Sequence, residues 1–131
     1  MLAYRHAFHA GNHADVLKHV VLAQVLVHMA AKDKAFSVID THAGAGLYRL
    51  DGDYARTGGE AVDGIVKLVA GAAAAAAEKK PSKPGKASVK SSNDAPDSEV
   101  DSLQDYLNLI ASFNSDGTLR VYPGSPFVMA Q

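Results

Sequence analysis

The stretch GAAAAAAEKKPSKPGKASVKSSNDAPDSEV, residues 71–100, sets the terms on which the rest of the chain can fold. Six alanines run into lysine, proline and serine, and Val89 and Val100 are its only large aliphatic side chains. Such a composition buries too little apolar surface to offset the entropy lost on ordering it. Its charge is also divided, with Lys79, Lys80, Lys83, Lys86 and Lys90 ahead of Asp94, Asp97, Glu99, Asp101 and Asp105. The lysines could serve as a phosphate-binding arm, but no aromatic side chain is interleaved to stack on bases. A solvated linker or surface insertion, whose two halves attract weakly, is the simpler expectation. The chain therefore divides into 1–70, a low-complexity segment at 71–101, and a continuation at 102–131.

The totals exclude several classes. At 131 residues the chain makes at most one domain, and 13 Lys+Arg against 14 Asp+Glu give a net charge of −1, with no bulk sign of a nucleic-acid binder. There is no cysteine, which removes disulfides and thiolate zinc sites. No apolar run approaches the roughly 20 residues that cross a bilayer. The amino terminus, MLAYRHAFHAGNH, lacks the continuous apolar stretch of a signal peptide. A soluble, cytoplasmic protein with no membrane partner is expected.

Asn12 or Gly11 can cap a helix starting near His13, with Asp15 in its first turn. From 16 to 31, VLKHVVLAQVLVHMAA is apolar almost all round, which predicts a buried helix. FSVID, 36–40, reads as a strand buried on both faces. A second helix is expected across 59–77. A third, over 102–113, would place Leu103, Tyr106, Leu107, Ile110 and Phe113 on one side. A turn at 114–117 leads to a strand at 118–122, and Ser125 followed by Pro126 reads as a cap and first helical residue. Two strands separated by helices point to an α/β chain that reads like the opening of a larger domain.

The strand at 36–40 runs straight into Thr41-His42-Ala43-Gly44-Ala45-Gly46. Glycines after a buried strand let the backbone approach a ligand at the carboxyl end of a sheet. The dinucleotide version needs a third glycine, and position 49 is Arg. The spacing Asp40-x-x-x-Gly44-x-Gly46 instead suits a ligand without phosphates, such as S-adenosylmethionine, although an ordinary strand-to-helix turn has the same look.

Four of the six histidines fall within HAFHAGNHADVLKH, 6–19. Zinc needs three or four converging ligands. Gly11-Asn12 interrupts the turn that could bring His9 and His13 together, so no metal site is expected. His19 on an otherwise apolar helix can be a satisfied core residue. If that helix packs beside the 36–40 strand, His19 and His42 can instead reach one pocket.

The blocks MLAYRHAFHAGNHADVLKH, FSVIDTHAGAGLY and VYPGSP, with a looser match at RTGGEAVDGI (56–65), strongly resemble the RlmJ-type family of 23S rRNA adenine-N6 methyltransferases. The resemblance covers 1–70 and about 102–131. It implies an α/β, Rossmann-like, S-adenosylmethionine-dependent methyltransferase fold, here incomplete, with the low-complexity insertion following the first glycine loop. It implies that His19, His42 and Ser125 contact S-adenosylmethionine, and that Asp40, Gly44 and Gly46 shape the turn beneath it. Tyr4, His6 and Lys18 would face the 23S rRNA and the reacting adenine, while His9 and His13 would be structural or surface residues.

The chain departs from the family pattern in places. Leu47 stands where Arg would follow the glycine loop, and the low-complexity segment replaces an ordered helical insertion. The D/N-P-P-Y/F/W sequence that holds the acceptor amine is absent, because the prolines at 81, 84, 96, 123 and 126 include no adjacent pair. That motif, and the acidic strand end that would bind the donor's ribose, are expected beyond Gln131. The reading is thus an amino-terminal portion with no catalytic residue of its own, inactive alone and at most a weak cofactor binder. The alternatives are a non-enzymatic RNA-binding module using Tyr4, Arg5, His6, Lys18 and the lysine arm, and a zinc-binding regulator.

Overall fold

Asn12 opens the longest helix, α1 (His13–Ala30), by accepting the Asp15 backbone N–H on its side chain. The structure, a computed structural model, describes residues 5–78 and 98–130. A short 3-10 turn, His6–Phe8, leads into α1. Then follow β1 (Leu47–Arg49), α2 (Asp53–Gly58), a π-helical turn (Val62–Val66), α3 (Lys67–Glu78), α4 (Ser98–Ser112), β2 (Val121–Pro123) and α5 (Ser125–Met129).

β1 and β2 pair antiparallel, with Leu47 opposite Pro123, Tyr48 opposite Tyr122 and Arg49 opposite Val121. Strand alternation turns Tyr48 and Tyr122 inward, where both are buried, and leaves Leu47 and Arg49 exposed. Tyr122, Tyr106 and Ile65 are fully buried and form the core with Ala10, Tyr48, Ala61 and Ile110. α1, α4, α5 and the π turn pack around this centre.

The mixed helix and strand content agrees with an α/β chain, but several elements differ from the expectations above. Residues 36–40 join no ladder, and Ile39 is 86% exposed. A strand buried on both faces needs neighbours on both edges. Among the described residues the only strands are β1 and β2, which pair with each other, so no parallel sheet forms. α1 is likewise not a buried helix. Asp15 and His19 are its only buried residues, whereas Leu17, Val21, Val25 and Val27 are each more than half exposed, because α4, α5 and the π turn cover one side only.

The helix expected across 59–77 starts one residue later and is broken once within its length. Gly59, at φ +65°, ends α2, and Gly64 sits at φ −96°, ψ −112° inside the π turn. The break at Gly64 has a steric cause. A Cβ on Gly64 would run into the Gly11 carbonyl and the Asn12 backbone, and the next residue, Ile65, donates its N–H to that same carbonyl at 2.8 Å. β2 begins three residues later than the strand expected at 118–122. Asn114 Oδ1 takes the backbone N–H groups of Arg120 and Val121, and its amide donates to the Ile110 and Val121 carbonyls. α3 and α4 extend helix into both edges of the segment set apart at 71–101, and 79–97 lie outside the described residues.

Gly64→Ala should therefore cost roughly 1–3 kcal/mol or more through the backbone clash. Gly71→Ala, on the α3 surface with no atom near its Cβ, should stabilise by up to about 1 kcal/mol. Denaturant midpoints of the two variants check the contrast.

Candidate functional site

Three separated segments converge on one open cleft of about 1050 Å³. The amino-terminal turn and α1 contribute Arg5, His6, Asp15, Lys18 and His19. The 38–45 loop contributes Asp40, His42 and Gly44, and the β2–α5 junction contributes Gly124 and Ser125. Of the residues singled out from sequence, His6, Lys18, His19, Asp40, His42, Gly44 and Ser125 all line this cleft. Gly46 does not, and Tyr4 lies outside the described residues.

The glycine loop is closed from beneath. Gly44 and Gly46 have φ of +64° and +87°, a region open to glycine but rarely to other residues. A Cβ at Gly44 would strike the Tyr48 hydroxyl, which also accepts the Ala45 backbone N–H at 3.1 Å. A Cβ at Gly46 would strike the Phe127 ring, and the Gly46 carbonyl accepts the Gly124 N–H. Gly46 thus ties the loop to the β2–α5 junction from behind the cleft.

Asp40 makes the second tie. Its Oδ2 accepts the Ser125 hydroxyl and its Oδ1 accepts the His42 backbone N–H at 2.8 Å. Those hydrogen bonds, Ser125 first, hold its carboxyl below the ordinary carboxylate range. Ser125 is not the helix cap expected from sequence. Gly124 occupies that position, which frees the Ser125 hydroxyl for Asp40.

On the α1 side, Asp15 is buried and organises the cationic face. It accepts from His6 Nε2 at 2.9 Å and from the Gly11 N–H at 3.2 Å, and Lys18 Nζ lies 3.4 Å away. His6 also packs edge-on against Tyr48, with centroids 5.1 Å apart. His19 stacks on the Tyr122 ring at 5.5 Å, and its Nδ1 lies 2.8 Å from the Tyr122 hydroxyl. Burial pushes its pKa below the usual histidine value, so the ring is held neutral.

The histidines thus serve different partners. His9 donates to Glu60 Oε1 at 2.8 Å, and Glu60 is held below its ordinary pKa by the Asn12 amide and then by His9. His42 Nδ1 lies 2.7 Å from the Thr41 hydroxyl, and His13 is exposed. Among the described residues no group of three or more His, Cys, Asp or Glu is placed to hold a metal ion. No helix among them is long and apolar enough to cross a membrane.

A family described as ribosomal RNA large subunit methyltransferase D, RlmJ, matches residues 33–80 and 70–131. The chain belongs to this family. The two matched stretches meet at the alanine run, where the low-complexity segment begins. Two ribosomal RNA large subunit methyltransferases J are similar to it. The Escherichia coli protein is 41% identical over 128 residues, covering 98% of this chain and 37% of the relative. The Haemophilus influenzae protein is 36% identical over 132 residues, covering 100% and 38%. The chain therefore spans well under half the length of these RlmJ relatives. A Legionella pneumophila protein of known crystal structure superposes with a TM-score of 0.62 at 29% identity, over 91% of this chain and 34% of that one.

Sequence reasoning missed Asp15 and Tyr48 on the wall of this RlmJ-family cleft, and Tyr122 in the core behind it. In sequence Asp15 stands out only as a first-turn charge, yet its spacing to Lys18 and His19 puts all three on one helix face. Tyr48 and Tyr122 lie opposite each other in a ladder only three residues long on each side, too short to show alternation.

Ser125→Ala should raise the Asp40 pKa towards its ordinary value. A depressed folded-state pKa contributes stability that is present above the unfolded value near 3.8 and is lost as pH falls through the lower folded value. The variant should shrink that acid-side dependence. Carboxyl NMR titration of wild type and variant checks it, and an unchanged Asp40 midpoint would contradict the tie.

Proposed function

We propose that the cleft binds S-adenosylmethionine, and that this chain forms the donor side of a Rossmann-like methyltransferase acting on adenine N6 of 23S rRNA. The observation that carries the reading is the convergence of His19, Asp40, His42, Gly44 and Ser125 on one cleft in an RlmJ-family chain. Large-subunit rRNA as substrate is inferred from the names of the longer relatives.

The residues present fit the donor. The cleft is at the upper end of the roughly 300–1,000 Å³ typical of small-molecule sites, and the left-handed backbone at Gly44 leaves no side chain over the loop. When bound, S-adenosylmethionine supplies an electrophilic methyl group on a sulfonium. The Asp40–Ser125 tie holds the two sides of the cleft together. Neutral His19 presents a hydrogen-bonding edge without adding charge beside the sulfonium.

Lys18, whose side chain is 68% exposed, and Arg5 give the same cleft a cationic mouth suited to RNA phosphates, with His6 beside them and Tyr4 assigned to the acceptor base. The N6 lone pair of adenine is delocalised into the ring, so the amine needs acceptors that draw on its protons. The proline-proline motif that supplies them is not among these 131 residues. In this reading the chain binds and orients, and activation of the amine falls to residues outside these 131. The segment at 71–101 is assigned to linking the two halves.

The isolated 131-residue chain should transfer no methyl group to 23S rRNA, and S-adenosylhomocysteine should bind it more weakly than the low-micromolar range. Methyl transfer by the isolated chain would overturn the division of labour. RNA binding should weaken steeply with salt, and Lys18→Ala should reduce the log–log slope by about 1. A slope near zero would remove the RNA-facing assignment.

A further inference from the structure

Tyr106, Tyr122 and His19 form a hydrogen-bonded row leading from the centre of the core to the cleft. The two phenol oxygens are 3.0 Å apart, and the Tyr122 oxygen is 2.8 Å from His19 Nδ1. Both tyrosines are fully buried, and burial raises both phenol pKa values, so each keeps its proton. This fixes the count. Two O–H protons and one imidazole N–H must be distributed over the three groups.

The direction of the row follows from which group lacks an alternative. Among the described residues, the Tyr106 hydroxyl has one hydrogen-bond partner, Tyr122. If Tyr122 donated to Tyr106, the Tyr106 proton would be buried with no acceptor, and an unsatisfied buried donor is strongly disfavoured. Tyr106 therefore donates to Tyr122. The Tyr122 proton must then go to its other partner, His19 Nδ1, so Nδ1 is an acceptor. The proton of the neutral imidazole is left on Nε2, on the opposite side of the ring from Tyr122.

We infer that Tyr106 and Tyr122 are positioning residues that lock His19 as its Nε2–H tautomer, presenting a hydrogen-bond donor to the carboxylate of a methionine-like ligand arm in the cleft. The inference rests on the proposed methyl-donor reading for its ligand, but the tautomer does not. The cleft wall around His19 carries Lys18, His6 and Arg5 as cationic or donor groups, with Asp15 engaged by His6 and Asp40 by Ser125. An anionic arm is the ligand chemistry that this wall accepts. A stacked, hydrogen-bonded ring is also held in orientation, which a lone histidine on a helix would not be.

The test uses side-chain proton–nitrogen correlation spectra of the labelled full chain, with His19 assigned by the signal lost in His19→Gln. Wild type should show the Nε2–H form alone, and an Nδ1–H form would overturn the proposal before any variant is made. Tyr122→Phe should release the ring into a mixture of tautomers. Tyr106→Phe should not, because Tyr122 still donates to Nδ1; equal effects of the two variants would reduce the row to packing and overturn the proposal. In binding, Tyr122→Phe should weaken S-adenosylhomocysteine about tenfold and leave methylthioadenosine, which lacks the carboxylate, unchanged. Equal weakening of both ligands would overturn the carboxylate assignment. Failure of S-adenosylhomocysteine to bind wild type even at millimolar concentration would overturn the methyl-donor reading, while the spectra still judge the tautomer.

Discussion

The pairing of Tyr48 with Tyr122 is the contact on which the site depends. It joins β1, on the amino-terminal side of the low-complexity segment, to β2 on the other side, although β1 and β2 are only three residues long. Each tyrosine then uses its hydroxyl towards the cleft. Tyr48 receives the Ala45 N–H and occupies the space left by Gly44, while Tyr122 meets His19. The same pairing sets the glycine loop beside the β2–α5 junction, where the Gly46 carbonyl and Asp40 each find a partner. A two-stranded ladder is marginal by itself. Here it persists because both tyrosine rings are buried in the shared core, Tyr122 against His19 of α1 and Tyr106 of α4, and Tyr48 against His6.

Two hydrogen-bonded networks divide the cleft by charge. Asp15 gathers His6, Lys18 and the Gly11 amide, so a buried carboxylate holds a cationic rim in place. A lone buried carboxylate would be costly, and those three partners are what make it tolerable. Opposite it, Asp40 is engaged by Ser125 and His42. Between them stands a neutral imidazole. This arrangement suits a zwitterionic ligand at the centre and a polyanion at the mouth, as the proposed methyl donor and RNA require.

Much of this was legible in the sequence, and the limits have physical causes. Local chemistry narrows the cap of α1 to Asn12 or Gly11 and sets its extent, and Asn12 is the residue that caps it. The apolar runs at 16–31 and 36–40 announced burial, but burial depends on what lies alongside, and here Leu17, Val21 and Ile39 remain exposed. Gly64 breaks its helix because Gly11 approaches from a distant part of the chain, which no local pattern reveals. The resemblance of the amino-terminal and glycine-loop blocks picked out residues that converge on the cleft. It did not reveal Asp15 or the tyrosines behind them, whose roles depend on the fold rather than on a motif.

Whether the cleft between α1, the glycine loop and the β2–α5 junction takes the methyl donor is decided by hydrogen–deuterium exchange with and without saturating S-adenosylhomocysteine. Donor binding there should slow exchange only in residues 40–46, 124–129 and the first turns of α1. Protection instead in the smaller groove that Ala72 and Ala76 of α3 form with Leu107 and Ala111 of α4, or none anywhere at saturation, would rule that out.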